Sequence, residues 1–183
     1  MSTALTAPGR LAGKVALITG AAGNLGSEIV RHYLRQGALV VLSGRTAARL
    51  QAARDAAVAD AGVPPEQADT VVMDGADPAS VRAGIAELMA RHGRIDILIN
   101  NAGSAGPRQP LEKVPLTAEE LEQLRAAGSN DTETLAQATR NILGVTWNVL
   151  RAAAPHLQEG ASVINVSTIF SRTRYYGRTA YVV

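Results

Sequence analysis

The sequence predicts a doubly wound α/β fold, a parallel sheet with helices on both faces. Three observations carry this. Five short β-branched runs are apolar almost without interruption, the pattern of strands buried on both faces. Longer segments of helical periodicity separate them. Polar residues and glycines crowd the carboxyl end of each run, while the run interiors hold almost none. Parallel strands need crossovers, and right-handed crossovers place helices on both faces of one twisted sheet.

The first strand is Lys14–Thr19, followed by a helix in which Leu25, Ile29, Val30, Tyr33 and Leu34 share a face and Gly37 supplies the stop. The second strand, Leu39–Ser43, leads into an Ala/Arg-rich helix with Thr46 as N-cap and its end near Gly62. After the third strand, Asp69–Met73, Asp77 caps a helix with Pro78 at its first position. Val81, Ile85, Leu88 and Met89 face inward there, and Gly93 ends it. The fourth strand is Ile95–Asn100 and the fifth Ser162–Val166. The connection between these two, from Ser104 to Glu159, is far longer than the others. It holds a short helix with a Thr117–Glu120 capping box ending at Gly128. A second helix runs from about Asp131 towards Pro155 and is apolar nearly all round, with Leu135, Ile142, Leu143, Val145, Trp147, Val149 and Leu150. Two apolar faces call for two partners, so a homo-oligomer contact through 131–155 is expected, with burial inside its own domain as the alternative.

Composition agrees with one soluble domain over 1–183: 46% hydrophobic, 19% charged, net charge +2. The calculated pI of 9.3 raises a nucleic-acid partner, but only two lysines are present and the arginines are scattered, which argues against one. No cysteine is present, which removes disulfides and thiolate chemistry and suits a cytoplasmic protein. His32, His92 and His156 lie far apart, each near a helix end, and read as solvated or C-terminal histidines rather than metal ligands. The amino terminus lacks the apolar core of a signal peptide, and nothing approaches a membrane span.

Ligands in open α/β sheets bind beyond the carboxyl ends of the strands. After the first strand comes "TGAAGNLG", where Gly20, Gly23 and Gly26, with Asn24 and Leu25 among them, open a helix. Glycines there let the backbone approach a pyrophosphate, whose charge meets the helix N-terminus; the bland reading is a tight strand–helix turn. After the second comes "SGRT". Ser43 and Gly44 stand where an acid would bind a ribose 2′-hydroxyl, and Arg45 follows, which suits the 2′-phosphate of NADPH. After the third, Asp74 and Gly75 can meet the adenine amino group. After the fourth comes "NNAG", where Asn100 stitches the sheet and Asn101, Ala102 and Gly103 pass the ribose. Ser167 and Thr168 follow the fifth.

"TGAAGNLG", "NNAG", Asn141 in the long helix and a hydroxyl thirteen positions before Tyr181 resemble the short-chain dehydrogenase/reductase family, over nearly the whole chain. The resemblance implies a Rossmann-type sheet. Asn24 stands where the family's middle glycine belongs, with Gly23 one step early, and the turn is expected to survive because asparagine tolerates left-handed backbone. "VINVSTIFSRTRYYGRTAYV", "VMDGADP" and "NNAGSAG" look like a subgroup, the amino-terminal half of the bifunctional malonyl-CoA reductases. That half is assigned the NADPH-dependent step from malonate semialdehyde to 3-hydroxypropionate.

The resemblance makes Tyr181 the proton donor and Thr168 the hydroxyl that binds the substrate oxygen, with Ser167 as fallback. It makes Asn141 the holder of a proton-relay water. Arg178, in a run with Arg172 and Arg174, is the candidate for gripping a substrate carboxylate, with a solvated or interface arginine as the alternative. The family places a lysine four positions after the tyrosine, beyond Val183. The sequence is therefore expected to be the front of a longer polypeptide, truncated after the fifth strand, and a poor catalyst by itself. The alternatives are a different carbonyl or alcohol substrate, or a catalytically silent dinucleotide-binding module.

Overall fold

The computed structural model describes residues 9–103, 114–128 and 134–167. Five parallel strands form one sheet in the order β3-β2-β1-β4-β5. β1 (Val15–Thr19) pairs with β2 (Leu39–Gly44) on one side and β4 (Ile95–Asn100) on the other; β3 (Ala68–Val72) and β5 (Leu157–Asn165) flank them. The order reverses between β1 and β4. That crevice is where open α/β sheets hold ligands.

Side chains alternate across each strand. Ala16, Ile18, Val40, Leu42, Ile97 and Ile99 pack against Val30 and Leu34 of α1 (Asn24–Arg35) and Leu50 and Ala57 of α2 (Ala47–Ala61). On the opposite face Leu17, Val41, Val71 and Leu98 meet Val81, Ile85 and Leu88 of α3 (Pro78–His92) and Val149 of α6 (Val145–Ala153). The doubly wound architecture is as expected. So are several helix ends: Asp77 accepts from the Ala79 and Ser80 N–H groups, and Gly62 and Gly93 adopt left-handed backbone. Thr46 occupies the N-cap position of α2 but makes no side-chain cap bond. Thr117 and Glu120 form the reciprocal capping box at the start of α4 (Ala118–Ala126).

Three expectations need correction. The helix read as continuous from Asp131 to Pro155 is broken within the described residues. α5 (Leu135–Thr139) opens on a Thr134–Gln137 capping box, Arg140–Gly144 is a π-helical turn, and α6 follows. Its apolar residues fall on two faces: Val145, Val149 and Ala153 form the buried stripe, while Leu143 and Trp147, 63% and 64% exposed, lie outside it. Asn24 is not left-handed. It begins α1 after Gly23, whose φ of −86° is ordinary extended backbone, and no described non-glycine residue has positive φ. β5 is not buried on both faces, since Val163 and Ile164 are exposed, and it starts five residues earlier than expected, with a register irregularity opposite Ile95–Ile97.

The amino ends of the strands carry the structural charges. Asp96, 5% exposed, accepts from the Val15 N–H at 2.9 Å and from Arg94 Nε at 2.8 Å, with Lys14 at 3.6 Å. Burial pushes its carboxyl up, but these donors and cations outweigh that and hold it below its ordinary value. Asp69, at the start of β3, is likewise lowered despite burial, by His92, the Thr70 N–H and Arg91. The carboxyl ends carry glycines, amides and hydroxyls, with Arg45 after β2 and Asp74 after β3.

Candidate active site

One cleft of about 520 Å³ opens at the carboxyl ends of β1 to β4. Gly20, Gly23, Asn24, Leu25 and Gly26 line one wall, Ser43, Gly44 and Arg45 a second, Asp74 and Gly75 a third, and Asn101, Ala102 and Gly103 a fourth. Asn141, delivered by the π-helical turn, completes the lining. Leu25 contributes to this wall rather than to the core face expected for it, being 54% exposed. Ser167 is exposed just beyond β5 and is not among the lining residues. Thr168, Arg178 and Tyr181 lie outside the described residues.

The turn after β1 is built by close backbone approach. Gly20 has φ of 63°, and a Cβ there would stand 2.9 Å from Ala102 Cα. A Cβ on Gly26 would stand 2.3 Å from the Gly20 carbonyl oxygen. Glycine is required at both positions, for backbone conformation at the first and for close packing at both. The result is a cradle at the N-terminus of α1, in which glycines at positions 20, 23 and 26 leave the backbone open to close approach. The cradle fits a pyrophosphate.

Two residues that sequence reasoning treated differently hold this cradle. Thr19 Oγ1 accepts from the Asn101 and Ala102 N–H groups, each at 3.0 Å, and donates to the Ile99 carbonyl. Asn101, expected near a ribose, lines the cleft, and its side-chain amide donates to the Thr19 and Gly20 carbonyls, at 3.1 and 3.2 Å. Together they tie the β4 end to the β1 turn. Asn100 does stitch the sheet, donating to Asn165 Oδ1 at 2.8 Å.

At the end of β2, Ser43 is buried and its carbonyl accepts from the Ala21 N–H at 3.2 Å, so β2 presses directly on the glycine turn. Arg45 lines the cleft here, and Arg49 joins it one turn into α2. No acidic residue occupies the first turn of α2. Two exposed guanidiniums at a helix N-terminus oppose the helix dipole, and an anion bound between them would offset that. Arg49 was missed in the sequence; its spacing of four from Arg45 was the available signal. At the end of β3, Asp74 Oδ1 accepts from the Ala76 N–H at 3.0 Å, while the Asp74 N–H donates to Ser80 Oγ. Val145 and Val149 give the cleft an apolar floor.

The family model described as short chain dehydrogenase matches residues 14–182. A crystal structure of the N-domain of a bacterial malonyl-CoA reductase with NADP is 63% identical, with a TM-score of 0.89, over 96% of this chain and 32% of that one. A short chain dehydrogenase structure from Mycobacterium smegmatis is 29% identical with a TM-score of 0.77, over 95% of this chain and 66% of that one. L-fucose dehydrogenase of Oryctolagus cuniculus is 33% identical over 165 residues, 87% of this chain and 48% of that protein. The chain thus spans about half the length of that relative and a third of the malonyl-CoA reductase domain chain. A glycine cradle at the switch point of a 3-2-1-4-5 parallel sheet, with the family match running from β1 almost to the last residue, makes this chain a member of the short-chain dehydrogenase/reductase family.

Proposed function

We propose that this chain belongs to an NADPH-dependent reductase that converts a small aldehyde to an alcohol, with malonate semialdehyde as the substrate and 3-hydroxypropionate as the product. The observation that carries the reading is the single cleft joining the Gly20–Gly26 cradle to Arg45 and Arg49, with no carboxylate at the end of β2. The cradle receives the pyrophosphate, the two guanidiniums receive the 2′-phosphate, and Asp74 accepts from the adenine amino group. The malonyl-CoA reductase N-domain with NADP, 63% identical, supports both the cofactor and the substrate class.

When bound, the cofactor supplies hydride to the carbonyl carbon. Tyr181 gives the proton to the carbonyl oxygen, which Thr168 orients by hydrogen bonding, with Ser167 beside it. Asn141, in the π-helical turn at the cleft, holds a water on the route by which Tyr181 regains its proton. Arg178 pairs with the substrate carboxylate. The partial coverage of the malonyl-CoA reductase domain supports action within a longer, bifunctional polypeptide. Leu143 and Trp147, exposed on the far side of the helix from Val145 and Val149, support a homo-oligomer through residues 131–155. No described helix is long and apolar enough to cross a membrane, and the cysteine-free composition suits a reducing cytoplasm.

The test is Tyr181→Phe in the intact protein. NADPH affinity stays within about twofold while kcat falls by at least about a hundredfold, the scale of a lost general acid. Undiminished turnover in Tyr181→Phe contradicts the proposal.

A further inference from the structure

Asn148 lies on α6 and is not among the residues lining the cleft, yet it reaches across to it. Its Nδ2 donates to the Gly75 carbonyl at 3.0 Å, a contact between residues 73 positions apart. That carbonyl and the Ala76 N–H belong to one rigid peptide plane. The Ala76 N–H, at the other side of the plane, donates to Asp74 Oδ1 at 3.0 Å. Holding the oxygen of this plane therefore fixes the direction of the N–H that grips the Asp74 carboxylate.

The plane needs such an anchor because glycine leaves the torsions beside it free. Gly75 is also seated hard against α6: a Cβ there would stand 2.6 Å from Val145 Cγ1. On its other side the turn is fixed by the Asp74 N–H to Ser80 Oγ and by the Asp77 N–H to the Asp74 carbonyl. The backbone of Asp74 is thus set from α3, and the carboxylate orientation from α6. With Oδ1 committed to Ala76, the second carboxylate oxygen is left for the ligand.

We propose that Asn148 is a positioning residue for the adenine end of the cleft, acting through the Gly75–Ala76 peptide to aim Asp74 at the exocyclic amino group of the base. This rests on the dinucleotide reading above and adds to it a determinant of base selectivity outside the cleft.

The test compares NADPH with its hypoxanthine analogue, whose base presents a carbonyl where adenine has an amino group. Both are titrated into the intact wild-type protein and into Asn148→Leu, which keeps side-chain volume but lacks the donor; Asn148→Ala serves if the leucine variant does not fold. The wild type prefers NADPH by about tenfold, the weight of one hydrogen bond to a charged group, and in the variants the preference falls to about twofold or less. Reduced nicotinamide mononucleotide, which lacks the adenosine half, binds all three proteins alike. A general loss of structure would weaken every ligand together and leave the NADPH-to-analogue ratio unchanged, and that result overturns the proposal. So does a wild type that binds both dinucleotides equally, which removes the role of Asp74. A wild type that binds no dinucleotide at all overturns the cofactor reading itself.

Discussion

Gly26 and Gly23 stand three residues apart in one motif, and the structure gives them different jobs. An alanine Cβ at Gly26 would lie 2.3 Å from the Gly20 carbonyl oxygen, 2.9 Å from Ala21 Cα and 3.0 Å from Asn101 Nδ2. None of these can step aside cheaply, because two are backbone and the third is tied to the Thr19 and Gly20 carbonyls. The start of α1 must retreat by roughly 1 Å to restore ordinary non-bonded separation. Overpacking of this kind costs about 1–3 kcal/mol, offset by up to about 1 kcal/mol for alanine over glycine in a helix. Gly26→Ala should therefore lose about 1–2 kcal/mol, a Tm fall of about 3–6 °C for a chain of this size. NADPH affinity should fall at least tenfold, since the displaced N–H groups are the ones proposed to receive the pyrophosphate. At Gly23 the backbone is already extended, and an added Cβ has one close neighbour, the Gly20 carbonyl oxygen at 3.2 Å. Gly23→Ala should keep its Tm within about 2 °C yet still weaken NADPH, because Gly23 lines the cleft and a methyl there takes up space beside the backbone. Thermal melts and NADPH titrations on both variants check this. Equal Tm losses at the two positions, or unchanged affinity in Gly23→Ala, would refute the reasoning.

Arg45→Ala and Arg49→Ala should each weaken NADPH by about tenfold or more, the worth of a charge-assisted hydrogen bond, and leave NADH binding within about twofold; competitive titration of the two dinucleotides measures both. Gly75→Ala should destabilise the protein through its clash with Val145 Cγ1, and Val145→Ala added to it should restore most of the loss, read by a double-mutant cycle in urea. Asp96→Asn should lose about 2 kcal/mol at pH 7, because the Val15 N–H and Arg94 lose a charged acceptor. The folded carboxyl titrates below its ordinary value. Its stabilisation is therefore complete above the unfolded pKa of about 4 and vanishes as pH falls through the lower folded pKa. Urea midpoints of wild type and variant should differ at pH 7, and the difference should shrink as pH falls below about 4.

The strands and their order of chemistry were legible because a strand buried on both faces must be apolar throughout, so Leu17, Val41 and Leu98 announce themselves. The glycine turn, Arg45 and Asp74 were legible because each follows such a run directly. β5 was read short because Gln158–Ala161 is polar and glycine-bearing, and only its pairing with β4 reveals it as strand. The π-helical turn at Arg140–Gly144 had no counterpart in periodicity, since one added residue per turn looks like ordinary scatter in an apolar helix. Thr19 and Asn148 were silent for a different reason. Their partners lie more than seventy residues away, and a lone hydroxyl or amide carries no spacing signal until the sheet closes.

The activity proposed for the cleft at the β1–β4 switch point is NADPH-dependent reduction of an acid-bearing aldehyde. Its most direct test is the rate of NADPH oxidation with malonate semialdehyde, set beside NADH and beside a neutral aldehyde of similar size, using the intact protein. Turnover should be rapid with NADPH and malonate semialdehyde, and much slower when either is exchanged. Equal rates with NADH, or no oxidation of NADPH by any aldehyde, would contradict the proposed activity.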